Sequence, residues 1–556
     1  MAVIILCSQG CKKDDELPLS EIPSITNVEP PEGTIGTELK ITGSNFREGA
    51  TVYIGDKMSS NTEITTSTEI FASVPSGISA NILLSVKVIN QSGGEASKNL
   101  AFKAIDPVLS FVNSATKPSG NVGSTVILEG KAFGDKQGKG KVLFSDDAGG
   151  TIVAEIASED DWTDEFIVTT VPSGASDGPV VVETEIGTSE EIHFTVTDAA
   201  TFSPSTINWT ETTSLPIGVS GHKALSISVD GQTGETDKYV LVSGGRDEEG
   251  KSLDQVFVGR INKDGNIDSW EGTTSMTDAV SFHASVAATP FNSRVDGSGY
   301  VYVLGGTDAN EEPVNTVSLA ALNNDGTLQG WTTTTSLPQP LHSAGAVIFR
   351  STVYIAGGAT TGNTSVSNVY KAEINEDGTL GSWETLPSLP EAVAHHGFVS
   401  FGGYLYSVGG ETGIADPDAD SHSEPSAAVY YSRINLRSGE IDNWTVNPNE
   451  LQKKRSKHTT LVLGGNMFVS SGIYGGLNPN VQGSSENVYA NIKSDGTIES
   501  FGGATGSNTL YSECGNNLFN QDGINYIDAD GVAHVMIIGG ARYGSPDTKI
   551  DKVLFY

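Results

Sequence analysis

Cysteine is nearly absent from this chain of 556 residues: Cys7 and Cys11 sit at the start and Cys514 stands alone in the body. No disulfide framework can therefore hold the main part together. Basic residues are also scarce, with 32 Lys and Arg against 68 Asp and Glu, a formal charge of −36. A nucleic-acid partner needs a basic patch against its phosphates, so that class is excluded. No apolar run approaches the roughly 18 to 20 residues that a helix needs to cross a bilayer. Helical periodicity is rare. The motifs HExxH, GxSxG and the phosphate loop do not occur, and no catalytic set stands out.

What the chain has in quantity is glycine, 65 residues, and a repeat. From Asn368 to Gly410 an alternating run, VYKAEI, meets an Asp377-Gly378 turn and returns through Leu380 to Trp383. Two apolar strands follow, GFVSFGG and YLYSVGG, the second closing on Gly409-Gly410. Alternation marks half-buried strands, and Asp-Gly supplies the positive φ of a tight hairpin. The unit recurs. Trp stands at 209, 270, 331, 383 and 444, and Phe501 takes the sixth place. Asp-Gly precedes four of these aromatics, at 264–265, 325–326, 377–378 and 495–496, with Ser438-Gly439 substituting before Trp444. A double glycine ends a strand at 244–245, 305–306, 357–358, 409–410 and 539–540, and Ser471-Gly472 replaces it once. Six four-stranded units in a row predict a six-bladed β-propeller over 205–556. The last unit ends after its third strand, at DKVLFY, so Ser205–Trp209 is expected to supply the fourth and close the ring.

Two further segments precede it. Gly33, Gly36, Gly43 and Phe46 return as Gly120, Gly123, Gly130 and Phe133, and Val-Pro-Ser-Gly occurs at 74–77 and 171–174. The second copy is about ten residues longer, with the excess placed around 158–166. Alternating runs such as LKITG and TVILEG predict two Ig-like β-sandwich domains, 23–105 and 106–197, joined to the propeller by a linker, 198–204. Trp162 in the longer copy reads as core packing. The whole chain is thus all-β.

The sandwiches resemble IPT/TIG domains, through the P-x-x-G-x-x-G-T-x-L-x-I-T-G-x-N-F pattern of the first copy and the later VPSG. That resemblance implies spacers or protein-contact modules. The propeller resembles bacterial kelch-type repeats, through VYVxGG, the Asp-Gly hairpin, the Trp and the LPxxxxxH segment. Kelch-type propellers host enzymes, lectins and scaffolds alike, so the resemblance implies a fold and leaves function open. The start, MAVIILCSQG, resembles the end of a lipoprotein signal (1–11), with Cys11 as the lipidation site and a tether over 12–22. Its acidic-basic run Lys12–Glu16 resembles an export signal of surface lipoproteins. The expectation is an outer-membrane, lipid-anchored, outward-facing monomer that meets the membrane through its lipid alone.

The loops after each Trp and after each double glycine share one end of a propeller, the default binding face. Thirteen residues beyond the aromatics stand His222, His283, Ala344, His396, Lys457 (with His458 next) and Cys514. A position that recurs in several blades reads as architecture, whereas departures from the repeat point to function. Arg246 and Asp247 follow the first double glycine, and Arg542 and Tyr543 follow the last. On adjacent blades, the two arginines are placed to clamp a carboxylate or sulfate. Paired with nearby acids instead, they would be plain loop residues. Tyr474 and Tyr543 offer faces for a sugar ring. Asp416, Asp418 and Asp420 alternate in the longest loop, a spacing of hard oxygens that suits Ca²⁺, although the loop lacks the Gly and Glu of an EF-hand. No cofactor is otherwise implied. The preferred reading is a non-catalytic surface module that captures an extracellular glycan or a surface protein. The alternatives are a carbohydrate-active enzyme of epimerase, lyase or oxidase type, and a purely protein-binding adhesion or scaffold protein.

Overall fold

The computed structural model describes residues 22–555 apart from 113–117, 198–208, 231–235, 290–294, 296–298, 418–423, 437, 464, 476–480, 484–485, 504–517 and 528–532. Cys11, the linker 198–204, Asp418, Asp420 and Cys514 lie outside the described residues. Strands dominate, and no α-helix occurs among the described residues.

The first sandwich pairs a four-stranded sheet (Ser24–Glu29, Glu38–Ser44, Glu69–Ser73, Thr62–Thr66) with a five-stranded one (Glu32–Gly33, Glu95–Ala104, Leu83–Ile89, Thr51–Ile54, Lys57–Met58). Alternate residues point inward, so Leu39, Ile41, Val52, Ile54, Val86 and Val88 are fully buried between the sheets. The second sandwich repeats the plan with three and five strands. The shared glycines have one cause. A Cβ on Gly43 would sit 1.8 Å from the Ser24 carbonyl oxygen and 2.6 Å from the Phe46 ring. On Gly130 it would sit 1.9 Å from the Val108 oxygen and 2.5 Å from the Phe133 ring. Trp162 is fully buried, and its indole Nε1 donates to the Phe133 carbonyl at 3.0 Å.

Six four-stranded antiparallel sheets form the propeller. Blade 1 spans Lys223–Gly272, blade 2 Ala284–Thr333, blade 3 Gly345–Leu386, blade 4 Gly397–Val446, blade 5 Thr459–Gly503, and blade 6 Asp522–Phe555. Each innermost strand touches those of the two neighbouring blades, blade 6 returning to blade 1. The ring closes through the segment at Trp209, and residues 205–208 of the expected closing strand lie outside the described residues. Thr210–Glu211, directly after Trp209, pairs with Val553–Phe555 as the outer strand of blade 6. Blade 1 has the same register, with Glu271 and Gly272, just after Trp270, pairing with its third strand.

Repeated residues join the blades. The indole Nε1 of Trp270 donates to Thr213 O at 2.9 Å, that of Trp331 to Thr274 O at 2.9 Å, and that of Trp383 to Thr335 O at 3.0 Å. Each Trp thus ties its own outer strand to the chain entering that blade. The Asp-Gly hairpins dock on a tyrosine of the preceding blade. Gly378 has φ +80°, and a Cβ there would meet the Tyr300 ring at 2.6 Å. Gly378→Ala should therefore cost about 2 kcal/mol, from backbone strain and from displacing the ring. A denaturant titration would show it as a lower midpoint, and an unchanged midpoint would mean that the hairpin yields freely.

The second sandwich rests on the propeller. Arg433 Nη2 of blade 4 lies 2.5 Å from Asp161 Oδ1, and Arg350 Nη2 of blade 3 lies 3.4 Å from Glu165 Oε2. The Arg350 guanidinium also sits 3.6 Å over the Phe166 ring. Val168 and Ile127 share an apolar cluster with Phe349. Arg350 stands between the first two strands of its blade, at the end opposite the loops that follow the double glycines. Segment 158–166 also faces the first sandwich, where Thr37 Oγ1 donates to Asp164 Oδ1 at 3.4 Å.

Candidate ligand-binding site

At the top of each blade the segment entering the first strand pairs with the residue after the double glycine. Ser220 bridges to Arg246, Ser281 to Thr307, His342 to Ala359, and Ala394 to Glu411. The Arg455–Ser456 and Leu518–Phe519 strands make the same contact in blades 5 and 6. One residue further on, the chain turns over the axis. Gly221, Phe282, Ser343, His395, Lys457 and Asn520 all have φ between +50° and +60°. Each of these amides donates to the carbonyl of its counterpart in the preceding blade, Gly221 to Asn520, Phe282 to Gly221 and so on round to Asn520 on Lys457, at 2.7 to 3.1 Å. A closed ring of six backbone hydrogen bonds therefore frames the axial mouth. Left-handed backbone costs a residue that carries a side chain about 1–2 kcal/mol, and five of the six carry one. Strain of this kind collects where side-chain placement matters.

The side chains at this mouth are polar and charged. Lys457 Nζ lies 3.8 Å and His395 Nε2 3.7 Å from Glu411 Oε1, with the Lys457 and Glu411 side chains wholly buried. Burial, then the Lys457 ammonium, holds His395 well below the usual histidine range. His342 Nδ1 meets Ser343 Oγ at 3.0 Å, and burial lowers its imidazole to about 4. Phe282 stands between Arg246, whose guanidinium is 5.2 Å from its ring centre, and His395, edge-on at 6.2 Å. Over the mouth folds the start of the long blade 4 loop. Lys457 Nζ donates to Asp416 O at 2.6 Å, and Asn520 Nδ2 donates to Pro417 O at 2.7 Å.

The recurring histidines are elsewhere. A Cβ on Gly244 would sit 2.9 Å from His283 Cε1, and the same closeness joins Gly539 to His222, Gly357 to His396, and Gly409 to His458. These imidazoles fill the seam between blades. Their burial lowers His222 to about 4 and His283, His396 and His458 to about 3, so all are neutral at pH 7. The sixth seam takes Gln521, whose Nε2 donates to Ser470 O at 3.2 Å, rather than Cys514. The loop before blade 6 is seven residues longer, which defeats a fixed count.

The arginine pair is not assembled. Arg246, 3% exposed, turns to blade 2, with Nε donating to Ser281 Oγ at 3.2 Å and Nη1 lying 3.4 Å from Glu311. Arg542 is one residue further from its double glycine, and Ala541 occupies the matching inward position. Neighbouring residues of a strand face opposite ways, so the two guanidinia do not converge. Asp247 accepts the Glu249 and Lys251 amides of its own loop, as Asp308 does for Asn310 and Glu312 in blade 2. Lys453 Nζ covers the Tyr474 ring at 4.3 Å, and Tyr543 packs on Ile473, Phe519 and Ala541. Asp416 offers its peptide oxygen to the Lys457 ammonium, and Asp418 and Asp420, the other two of the alternating acids, lie outside the described residues. Apart from Lys457, the ring residues escaped the sequence reading, His395 and three others by one position and Asn520 with the longer loop before blade 6. Their signal was present, as the residue just before the recurring His and its counterparts Ala344 and Gln521.

Comparison with known proteins agrees with this architecture. The IPT/TIG domain family model matches residues 23–104. The kelch-like protein terF of Aspergillus terreus is 28% identical over 219 residues, which cover 38% of this chain and 42% of that protein. The chain thus spans less than half the length of this relative. An IPT/TIG domain joined to kelch-like repeats is the build of a protein-interaction or binding module.

Proposed function

We propose that this protein is a non-catalytic binding module of the bacterial cell surface, lipid-anchored through Cys11, which holds its propeller out to capture an extracellular glycan or a protein partner. The observation that carries this reading is the docking of the second sandwich. Asp161, Glu165 and Phe166 occupy the bottom of blades 3 and 4. The opposite end, with its long loops and polar mouth, is the one left to meet a ligand. The IPT/TIG match supports a spacer role for the first sandwich.

The test is a glycan-array and polysaccharide-affinity screen of the chain from Lys12 onward, with and without Ca²⁺, beside a pull-down of surface proteins. Retention of a glycan, independent of Ca²⁺, is expected. Capture of a defined surface protein without glycan retention would favour the adhesion reading. A second reading, a carbohydrate-active enzyme, draws on the buried Lys457, Glu411 and His395 set. Sugar turnover by protein that retains no glycan or partner would overturn the binding-module reading in its favour.

A further inference from the structure

We infer that Asp264-Gly265, the hairpin at the seam that closes the ring, is a site of spontaneous chemical modification, where Asp264 passes through a succinimide to isoaspartate while the Asp-Gly hairpins of blades 2, 3 and 5 resist that change. The inference needs no ligand and stands apart from the glycan reading.

Asp-Gly is the reactive dipeptide because glycine has no Cβ to keep its amide from the carboxyl before it. The Gly265 nitrogen attacks Asp264 Cγ, gives up its proton, and a carboxyl oxygen leaves as water, closing the five-membered ring. Water then opens the ring at the former main-chain carbonyl. The chain afterwards runs through Cγ, a carboxylate stands where the main-chain carbonyl was, and the mass returns to its starting value. The carboxyl reacts in its protonated form, since a carboxylate has no hydroxyl to lose. Four hairpins offer this dipeptide in one backbone shape. Gly265, Gly326, Gly378 and Gly496 have φ of +79°, +78°, +80° and +81°. Each of these amides donates to the carbonyl three residues back, at 2.9 to 3.0 Å. Asp264, Asp325, Asp377 and Asp495 are all exposed. Backbone and access therefore do not separate the four.

What separates them is the residue after the glycine. Thr327, Thr379 and Thr497 each give a backbone amide, at 2.9 to 3.0 Å, and a hydroxyl, at 2.5 to 2.6 Å, to one oxygen of the aspartate two residues back. Two donors on one oxygen favour the ionised form, and the Asp325, Asp377 and Asp495 carboxyls are lowered by them. In blade 1 Asn266 stands in place of the threonine. Its amide turns to Asn262 Oδ1 at 3.0 Å, and its side chain reaches the Asp264 peptide oxygen at 3.4 Å. The Asp264 carboxylate has no hydrogen bond or ion pair among the described residues. The same hairpin sits on the closing seam. Gly265 O accepts from the Tyr526 hydroxyl at 3.3 Å, and a Cβ on Gly265 would lie 3.1 Å from the Phe555 ring. Phe555 pairs with Thr210 of the closing strand. One extra carbon in the backbone of this turn moves the hairpin off the residues that carry the closure.

The experiment stores the chain from Lys12 at neutral pH and body temperature for several weeks. Peptide mapping follows each hairpin, with enzymatic methylation marking isoaspartate. Asp264 should convert about fivefold faster than Asp325, Asp377 and Asp495, the factor that one hydrogen bond to the carboxylate is worth. In concentrated urea, where the turns are lost, the four rates should draw together. Asn266→Thr should slow Asp264 to the rate of the others, and Thr379→Ala should bring Asp377 up to that of Asp264. If a variant fails to fold, the ranking of the four hairpins in the unaltered chain still decides. Stored protein rich in isoaspartate at 264 should unfold at a lower denaturant midpoint than fresh protein. Equal rates at the four folded hairpins, or a ranking that persists in urea, would overturn the inference. Conversion at Asp264 with an unchanged midpoint would overturn its link to the seam.

Discussion

Between pH 6.5 and pH 5 the propeller should lose most of its stability, before its carboxylates titrate. The cause is the set of seam histidines. His222 is lowered to about 4 and His283, His396 and His458 to about 3, each mainly by burial. In the unfolded chain a histidine titrates near 6.5. Below that value the unfolded state binds protons that the folded state refuses. The stability these residues leave intact is fully present above pH 6.5 and falls as the pH drops toward 3 to 4. At pH 5 each neutral histidine costs about 2 kcal/mol by this linkage. Four of them approach the whole stability of a typical domain, about 5–15 kcal/mol. The Asp325 and Asp495 carboxyls, lowered by hydrogen bonds from Thr327 and Thr497, act in the same direction only at lower pH.

Blade 6 supplies the variant that isolates this effect. Gln521 holds the seam without a titrating group, so glutamine fits there. In His283→Gln, the slope of unfolding free energy against pH should shrink by about half a proton at pH 6.5, rising to nearly one proton, about 1.4 kcal/mol per pH unit, at pH 5. Denaturant melts across that range measure it. A flat profile in the parent protein would mean that the histidines open to water without unfolding the ring.

The repeats made the architecture legible in the sequence. Trp270, Trp331 and Trp383 recur because every blade must hold its entering chain, and Gly326, Gly378 and Gly496 recur because every hairpin abuts a tyrosine. A need shared by all blades writes itself six times. The axial ring wrote nothing of that kind. Gly221, Phe282, Ser343, His395, Lys457 and Asn520 have only a backbone angle in common, which no side-chain pattern displays. Arg246 and Arg542 looked paired because they follow a double glycine on adjacent blades, yet a one-residue difference on a strand reverses the direction of a side chain. The contact of the blade 4 loop with the mouth was hidden for another reason: Lys457 meets Asp416 only once blades 4 and 5 stand side by side.

The same limit hid the joint between sandwich and propeller, whose loss should change the shape of the molecule. Asp161 and Arg433 are 272 positions apart, and Glu165 and Arg350 are 185 apart. The charged sandwich groups of this joint, with Phe166, come from the segment 158–166, the part set apart as extra length in the second copy. Asp164 of the same segment accepts the Gly134 amide at 2.9 Å and the Thr37 hydroxyl. Three domains thus meet at nine residues. Burial raises the Asp161 carboxyl above its usual range against the pull of Arg433. Arg433 is therefore needed to tolerate a carboxylate that is costly where it stands. Arg433→Ala should destabilise the joint by about 3 kcal/mol, since it leaves that carboxylate buried and unpaired. Asp161→Asn with Arg433→Met should recover most of the loss, because removing both charges removes the desolvation cost as well. Reversing both arginines, with Arg350→Glu and Arg433→Glu, sets like charges against Asp161 and Glu165 and should part the sandwich from the propeller. Small-angle scattering would then report a larger radius of gyration, and the two units would melt separately. Scattering identical to that of the parent chain would show that Phe166, Val168 and Ile127 suffice to hold the joint, leaving the ion pairs to set only its register.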